Sequence, residues 1–220
     1  MPVIAVDGPG GAGKGTLCRG LARALRWDYL DSGALYRLLA LKLHESGAPP
    51  ERAAALASDL DIAFSLDDNG VSLDGQPVAD RIRNETIGAL ASEIAARPDV
   101  REALLQRQRD FDRPPGLVAD GRDMGTVVFP DAGLKIFLDA SAWVRARRRE
   151  AELLDAGKTV IFEKIFREIR ERDERDRNRK VAPLRPAPEA HVLDSTELDA
   201  DQVLQQALQW AREAGFTTHS

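Results

Sequence analysis

Cysteine is almost absent from this sequence, which contains only Cys18 among its 220 residues. A single cysteine excludes an intramolecular disulfide and a metal site built from several cysteines, and we interpret Cys18 as a small apolar residue on a helix. Long hydrophobic runs are lacking too, because segments such as VIAV at 3–6 are far too short for a membrane span or a signal peptide. These absences predict a soluble, cytoplasmic protein without a membrane partner.

A strong net charge is also missing, although charged residues are common. The formal net charge is −5 at pH 7, from 31 Lys and Arg against 36 Asp and Glu. This balance argues against a broad nucleic-acid-binding surface, so we predict no nucleic-acid partner. Apolar residues make up 43% of the chain, enough for a full core, and we expect one domain or one domain with an insert.

Short β-branched segments alternate with helical patterns along most of the chain. Leu17, Leu21 and Leu25 recur at every fourth position and predict a helix at 14–26, and a closing helix is predicted at 200–214. This alternation is typical of an α/β fold with a parallel sheet flanked by helices. The five predicted strands cover residues 3–7, 28–32, 116–121, 134–139 and 191–195.

The segment at 60–80 interrupts the alternation. Its tight-turn pairs Asn69-Gly70 and Asp74-Gly75 lie between short alternating segments and predict a small antiparallel insert. Helical patterns at 84–96 and 99–111 follow it. The predicted divisions are a first part of the core with a phosphate loop at 1–59, an inserted domain at 60–112, core at 113–144, a lid region at 145–165 and the last part of the core at 166–220.

The loop after the first strand, GPGGAGKGT, fits two phosphate-binding patterns. Gly8, Gly10 and Gly13 spell the dinucleotide pattern G-x-G-x-x-G, and Asp31 lies near the position expected for a ribose-binding acid. The same segment also reads G-x-x-x-x-G-K, the start of a nucleoside-triphosphate loop, but it departs from that pattern after the lysine. Gly15 replaces the usual Ser or Thr.

Lys14 favours the triphosphate interpretation over the dinucleotide one and over a simple tight turn. A dinucleotide loop binds phosphate through backbone amides and has no role for a lysine here. In a triphosphate loop, the amides and the helix N-terminus hold the phosphates while the lysine neutralises charge on the β- and γ-phosphates. We therefore expect phosphoryl transfer.

Segments spread over nearly the whole chain resemble bacterial cytidylate kinases, which are P-loop nucleoside monophosphate kinases. The similarity rests on the Gly-Lys-Gly-Thr ending of the loop together with four further segments. The matching segments are GPGGAGKGTL (8–17), LDSGALYR (30–37), ADGRDMGTVVFPDA (119–132), KIFLDAS (135–141) and RERDERDRNRKVAPL (170–184).

This resemblance implies a P-loop NTPase fold with a five-stranded parallel sheet, an inserted small α+β monophosphate-binding domain and a lid. The implied reaction is ATP-dependent phosphorylation of CMP and dCMP to CDP and dCDP, a step of pyrimidine nucleotide metabolism, by a monomer. Mg²⁺ is the cofactor expected with ATP. Its protein ligands are not implied, since Gly15 has no side chain to coordinate it, and Thr16 is the candidate.

Transfer between two nucleotides brings several negative phosphates together and therefore needs fixed cations, preferably arginines. The segment at 163–180 is rich in both charges and predicts a helix with ion pairs four residues apart, such as Arg172–Asp176 and Asp173–Arg177. It is either a solvated helix or one whose arginines at 172, 175 and 179 share a phosphate-binding face. A second basic cluster is a candidate lid element or a solvated face: Arg145, Arg147, Arg148 and Arg149.

The resemblance also implies a role for individual residues. Lys14, Arg122 and Arg179 are the implied catalytic residues. The implied ATP-binding residues are Gly8, Pro9, Gly10, Gly11, Ala12, Gly13, Lys14, Gly15 and Thr16. For the acceptor, Arg37, Arg122 and Arg179 would hold the phosphate, Ser32, Arg101 and Asp123 would face cytosine, and Ser92, Arg172 and Asp176 would meet the ribose.

Two other functions fit parts of the pattern. A kinase for another nucleoside monophosphate would keep the loop and fold but change the residues around the base. A nucleotide-gated RNA-binding module would use the arginine-rich helix to hold RNA and would bind ATP without acceptor-dependent turnover.

Overall fold

Helices and strands alternate along most of the chain. The computed structural model describes residues 1–58, 60–66 and 70–216. Its elements are β1 (Val3–Asp7), α1 (Lys14–Leu25), β2 (Asp28–Asp31), α2 (Ser32–Ser46), a 3₁₀ turn (Pro50–Arg52), α3 (Ala53–Ala57), β3 (Ile62–Phe64), β4 (Val71–Leu73), β5 (Gln76–Pro77), α4 (Ala79–Ile82), α5 (Glu85–Ile94), α6 (Pro98–Arg109), β6 (Leu117–Gly121), a π-helical turn (Met124–Val128), β7 (Leu134–Asp139), α7 (Ala142–Asp155), α8 (Phe162–Asn178), β8 (His191–Asp194) and α9 (Ala200–Glu213).

The main sheet has five parallel strands in the order β2-β6-β1-β7-β8. This confirms the predicted α/β fold and all five predicted strands. Three of them were predicted one residue too long, because β2, β6 and β8 cover 28–31, 117–121 and 191–194.

Both faces of this sheet are buried at its centre, as side-chain alternation along β1 shows. Val3 and Ala5 belong to one hydrophobic cluster, while Ile4 and Val6 belong to another on the opposite face. A parallel sheet covered on both faces requires strands that are apolar throughout. This is why β1 is a continuous apolar run up to Asp7, the residue at which the strand ends.

Helices α1 and α9 cover one face of the sheet. Leu17, Leu21 and Leu25 of α1 are buried there, as their spacing predicts. Gly20 lets α1 and α9 approach each other closely, because a Cβ at this position would lie 2.9 Å from Leu204 of α9.

Helices α5 and α6 lie close to their predicted positions. Pro98 is the first residue of α6, where its missing N–H costs nothing, rather than a separator between the two helices. No helix in the described ranges is long and apolar enough to cross a membrane.

A second, antiparallel sheet contains β3, β4 and β5. The predicted turn at Asp74-Gly75 connects β4 to β5, and both residues have positive φ, 51° and 73°. Asn69, half of the other predicted turn, lies outside the described residues. A third hydrophobic cluster joins this sheet to helices α2 to α6 and includes buried residues from Ala34 to Leu104. The cluster therefore contains residues on both sides of position 60, where the inserted domain was predicted to begin.

Candidate active site

The glycine loop leaves the carboxyl end of β1 and leads directly into α1. Gly8 has φ 151°, and a Cβ there would collide with the carbonyl oxygen of Leu138. Gly13, which precedes the first turn of α1, has φ 96°. Side chains are therefore excluded at both positions, and the loop turns tightly enough to present the helix N-terminus to an anion.

Lys14 is the first residue of α1, and its side chain returns toward the loop. It is 5% exposed, and its Nζ donates to Pro9 O at 2.9 Å. Asp120 Oδ1 lies 3.9 Å from the same nitrogen. Burial lowers the pKa of Lys14 from 10.5 to about 8, and the positive charge of Arg122 acts in the same direction. Negative phosphates beside this group would restore its preference for the charged form.

Carboxylates stand at the ends of three adjacent strands, and sequence reasoning missed two of them, Asp7 and Asp120. Asp7 accepts hydrogen bonds from the amides of Met124 at 2.7 Å and Gly125 at 2.8 Å. Burial raises the pKa of Asp7 to about 6 and also raises that of Asp120, which Lys14 opposes. Their position at the carboxyl ends of predicted strands could have identified both residues, since ligands of open α/β sheets bind beyond those ends.

Asp31, at the end of the third of these strands, has a structural role. Its side chain accepts from Ala34 N at 2.8 Å and thereby caps helix α2. Its position in the sequence, which matches that of a ribose-binding acid, is thus explained by helix capping.

Three predicted acceptor-phosphate and ribose arginines, Arg37, Arg122 and Arg172, line the same cavity of about 1120 Å³ as the glycine loop. A Cβ on Gly10 would lie 3.4 Å from Arg122 Nη2 and 3.6 Å from Arg172 Nη1. The structure therefore brings two guanidinium groups directly against the loop. Such an arrangement fits a site where phosphates of two nucleotides meet.

The charges of these arginines depend on their surroundings. Burial alone would lower the pKa of Arg122, but Asp176, whose Oδ2 accepts from Arg122 Nε at 3.0 Å, raises it. Burial and the neighbouring Arg122 lower the pKa of Arg172 to about 10, and burial lowers that of Arg37. Positive charge is thus concentrated in a partly desolvated site, where an incoming phosphate relieves the repulsion.

The predicted cytosine-facing residues form a separate group beside this cavity. Arg101 and Asp123 make a buried ion pair, and Arg179 Nη2 lies 3.6 Å from Asp123 Oδ1. The guanidinium of Arg101 lies over the ring of Tyr36, 6.0 Å from its centre. Arg179, which the resemblance assigns to the phosphate, therefore contacts a residue assigned to the base. Ser32, the first residue of α2, is also buried.

A family model described as cytidylate kinase matches residues 4–213 of this chain. The cytidylate kinase of Klebsiella pneumoniae (strain 342) is 57% identical over 218 residues, 97% of this chain and 96% of the relative. That of Pectobacterium carotovorum subsp. carotovorum (strain PC1) is 57% identical over 217 residues, 96% of each chain. The chain belongs to the cytidylate kinase family. Among solved structures, the shikimate kinase of Bacteroides thetaiotaomicron has a TM-score of 0.48 at 14% identity, covering 96% of this chain and 98% of that one.

The ribose assignment of this cytidylate kinase family member is only partly assembled in the structure. Arg172 and Asp176 lie one turn apart on α8, while Ser92 lies partly buried on α5. Among the described residues, no hydrogen bond joins Ser92 to either of them. Asp176 is bound to Arg122 and not to Arg172.

The two ion pairs predicted for Asp173 and Asp176 within α8 are wrong, because both aspartates pair with arginines of other elements. Pairs four residues apart do form nearer the start of the helix, at Lys164–Glu168 and Arg167–Glu171. Asp173 makes a buried pair with Arg145 of α7, with Nη1–Oδ1 at 3.0 Å, and Arg145 Nη1 also donates to Gly10 O of the loop at 3.0 Å. The predicted arginine face is wrong as well, since Arg175 is exposed and Arg179 lies at the end of the helix in extended conformation.

The basic cluster of α7 divides in two. Arg145 and Arg148 turn inward, and Arg148 donates to Ser195 O at 2.7 Å and to Ala12 O at 3.5 Å. Arg147 and Arg149 make exposed ion pairs with glutamates three residues further along α7. Arg145 and Arg148 therefore support the glycine loop, whereas Arg147 and Arg149 are exposed, and Arg149 also lines the cavity.

Oxygen ligands for a magnesium ion are available at the end of the loop. Thr16 and Asp120 line the same cavity as Lys14, and hydroxyl and carboxylate oxygens suit a hard cation that keeps much of its shell as water and phosphate. The described residues contain no cluster of three or more His, Cys, Asp or Glu that would hold a metal by itself. The residues present therefore fit a metal ion that arrives with phosphates.

Proposed function

We propose that this protein transfers the γ-phosphoryl group of ATP to CMP and dCMP, producing ADP with CDP or dCDP. Membership of the cytidylate kinase family supports this proposal. The observation that carries it is the close approach of the Arg122 and Arg172 guanidinium groups to Gly10 of the glycine loop. Guanidinium groups at this place stand where an acceptor phosphate would face the γ-phosphate of a nucleotide bound to the loop.

The proposed chemistry is direct displacement in line. An oxygen of the CMP phosphate attacks the γ-phosphorus, and the bond from that phosphorus to the β,γ-bridging oxygen breaks, so that ADP leaves with the bonding electron pair. Residues Gly8–Thr16 would bind the ATP phosphates, with Lys14 neutralising the transferred group. Arg37, Arg122 and Arg179 would orient the acceptor phosphate. Positioning and charge then account for catalysis without a covalent enzyme intermediate.

The acceptor base and sugar are assigned to the residues beside the cavity. Ser32, Arg101 and Asp123 would recognise cytosine, and Ser92, Arg172 and Asp176 would meet the ribose. Because Asp123 is paired with Arg101, we propose that the two act as one unit, in which Arg101 holds the carboxylate that accepts from the N4 amine. Magnesium, bound through Thr16 and Asp120, would neutralise phosphate charge.

We further propose that the protein functions as a monomer in the cytoplasm, with an inserted domain at 60–112 and a lid at 145–165 that close over the substrates. One chain carries both the glycine loop and the arginines of the cavity, so no second copy is needed to complete the site. Light scattering on the purified protein measures the oligomeric state.

The test of the function is an acceptor panel with ATP and magnesium, following ADP release by a coupled assay. CMP and dCMP are expected to give far higher kcat/KM than UMP or AMP, and Lys14→Ala provides the inactive control. A preference for AMP or UMP would overturn the cytidylate assignment. ATP binding without turnover on any acceptor, combined with salt-sensitive RNA binding, would instead support the RNA-binding alternative.

A further inference from the structure

A buried hydrogen bond joins the beginning of α2 to the last turn of α6. Ser32 Oγ donates to Gln108 Oε1 at 2.7 Å, across 76 residues of sequence. Ser32 is 5% exposed and Gln108 only 2%. Burying a glutamine this completely is unfavourable unless its amide is hydrogen-bonded. The hydrogen-bond partners of the Gln108 amide therefore need to be identified.

The orientation of the Gln108 amide determines what Ser32 can do. Gln108 Nε2 donates to Leu104 O at 3.3 Å, a backbone oxygen that can only accept. The other end of the amide, Oε1, therefore faces Ser32 and accepts its single hydroxyl proton. With that proton engaged, Ser32 Oγ offers only lone pairs to any further partner.

Gln108 also lies on the same side of α6 as the proposed base-recognition unit. Arg101 precedes it by seven residues, two helical turns, and both side chains are buried on one face of the helix with Leu104 between them. Arg101 pairs with Asp123, and Gln108 accepts a hydrogen bond from Ser32. One face of α6 thus binds both Asp123 and Ser32, which are assigned to the edge of cytosine.

We propose that Gln108 is a positioning residue that makes Ser32 an obligate hydrogen-bond acceptor and thereby selects cytosine over uracil. Cytosine carries an N4 amine that donates, whereas uracil carries O4, which accepts. Because its proton is held by Gln108, Ser32 Oγ can accept a hydrogen bond from the N4 amine. Against uracil O4 it would place one acceptor oxygen opposite another, with no proton to share between them. This inference rests on the proposed function, because it assumes that Ser32 meets the acceptor base.

The decisive variant is Gln108→Met, which keeps an unbranched side chain of similar length but removes the acceptor. The freed Ser32 hydroxyl can then rotate and donate to uracil O4. We expect the CMP:UMP ratio of kcat/KM to fall by about tenfold, while KM for ATP stays unchanged. Gln106→Met is the matched control, because Gln106 is exposed on the same helix and bonds Asp110 at 2.9 Å. Its ratio should equal that of the wild type.

Rescue distinguishes positioning from general damage to the fold. In Gln108→Glu, a carboxyl oxygen still accepts from Ser32, and burial favours the neutral acid, whose hydroxyl can donate to Leu104 O as the amide does. This variant is expected to retain the wild-type ratio. If Gln108→Met fails to fold, Gln108→Asn measures the same loss, since its amide is one methylene too short to reach Ser32.

A double-mutant cycle tests whether Gln108 acts through Ser32. Ser32→Ala removes the oriented oxygen, so adding Gln108→Met to it should leave the CMP:UMP ratio where Ser32→Ala put it. An additive change would overturn the inference, as would an unchanged ratio in Gln108→Met. If the wild type itself does not favour CMP, the proposed function fails; if it does, an unchanged ratio in the variants refutes the role of Gln108 alone.

Discussion

Lys14 is the residue on which the glycine loop depends for charge. Replacing it with alanine removes the cation assigned to the transferred phosphoryl group, and we expect kcat to fall by about 100-fold or more. The fold should remain, because the loop conformation depends on Gly8 and Gly13. Steady-state kinetics with CMP checks the rate and circular dichroism checks the fold.

Lys42→Ala is the control for that experiment, since Lys42 is a lysine of α2 that contacts Asp74 at 3.4 Å, far along the chain from the loop. It should keep nearly wild-type turnover. Near wild-type turnover in folded Lys14→Ala would contradict the triphosphate-loop assignment.

The lowered pKa of Lys14 predicts how ATP binding depends on pH. Below pH 8 the free protein carries a charged Lys14, and as pH rises through about 8 that group loses its proton. Phosphates favour the charged form, so binding above this pH must take up a proton, and the affinity for ATP should fall by up to about tenfold per pH unit. Calorimetry at about pH 9 in two buffers of different ionisation enthalpy measures the uptake.

The same shift has a consequence for stability with the opposite sign. Because the folded pKa lies below the ordinary value of 10.5, the folded protein releases this proton first, and Lys14 becomes less destabilising as pH rises from about 8 to 10.5.

Lys14→Met is the control for the ATP-binding experiment and should abolish the proton uptake that accompanies ATP binding. Equal ATP affinity from about pH 7 to about pH 9.5 in the wild type would refute the prediction.

At the scale of elements, α8 is tied to α7 and to the glycine loop by one buried ion pair. Arg145 is 2% exposed and Asp173 10% by side chain, with Nη2–Oδ2 at 2.5 Å. Asp173→Ala would leave a buried guanidinium without its partner, so we expect the free energy of unfolding to fall by about 3–5 kcal/mol. Urea unfolding measures the change.

Glu171→Ala is the matched control on the same helix. Glu171 pairs with Arg167 at 4.0 Å, and their side chains are 55% and 70% exposed, so its loss should cost less than about 0.5 kcal/mol. Similar small effects for both variants would mean that α8 is a solvated helix whose position does not depend on Asp173.

At the scale of the whole molecule, the cavity joins the donor loop to the acceptor arginines. Arg37, Arg122 and Arg172 line it together with the glycine loop, and under the proposed function an acceptor phosphate completes this arrangement of charges. ADP release from ATP alone should therefore be at least about 100-fold slower than with CMP, because water gains none of that positioning. A coupled ADP assay with and without CMP measures the ratio.

Cytidine is the control for this comparison, because it presents the base and sugar without the phosphate and should not stimulate ADP release. Equal ADP release with and without CMP would show that the acceptor takes no part in assembling the site, and would favour a nucleotide-gated module.

The sequence by itself determined the features that depend on neighbouring residues. The five strands, the helix after the loop and the turn at Asp74-Gly75 were all predicted, because β-branched runs, four-residue spacing and positive-φ pairs act locally. The glycine loop is of the same kind, since its glycines and Lys14 lie next to one another in the chain. The family resemblance then extended the prediction from the loop to the acceptor residues.

Only the tertiary structure decided which charged and polar groups meet. The charge pattern of α8 predicted pairs within the helix, but Asp173 and Asp176 bind Arg145 and Arg122 from other elements. An exposed pair four residues apart stabilises a helix by only about 0.3–0.5 kcal/mol, so a partly buried partner brought by the fold prevails. The bond from Ser32 to Gln108 spans 76 residues; no local pattern encodes it, because it exists only once α2 and α6 are packed.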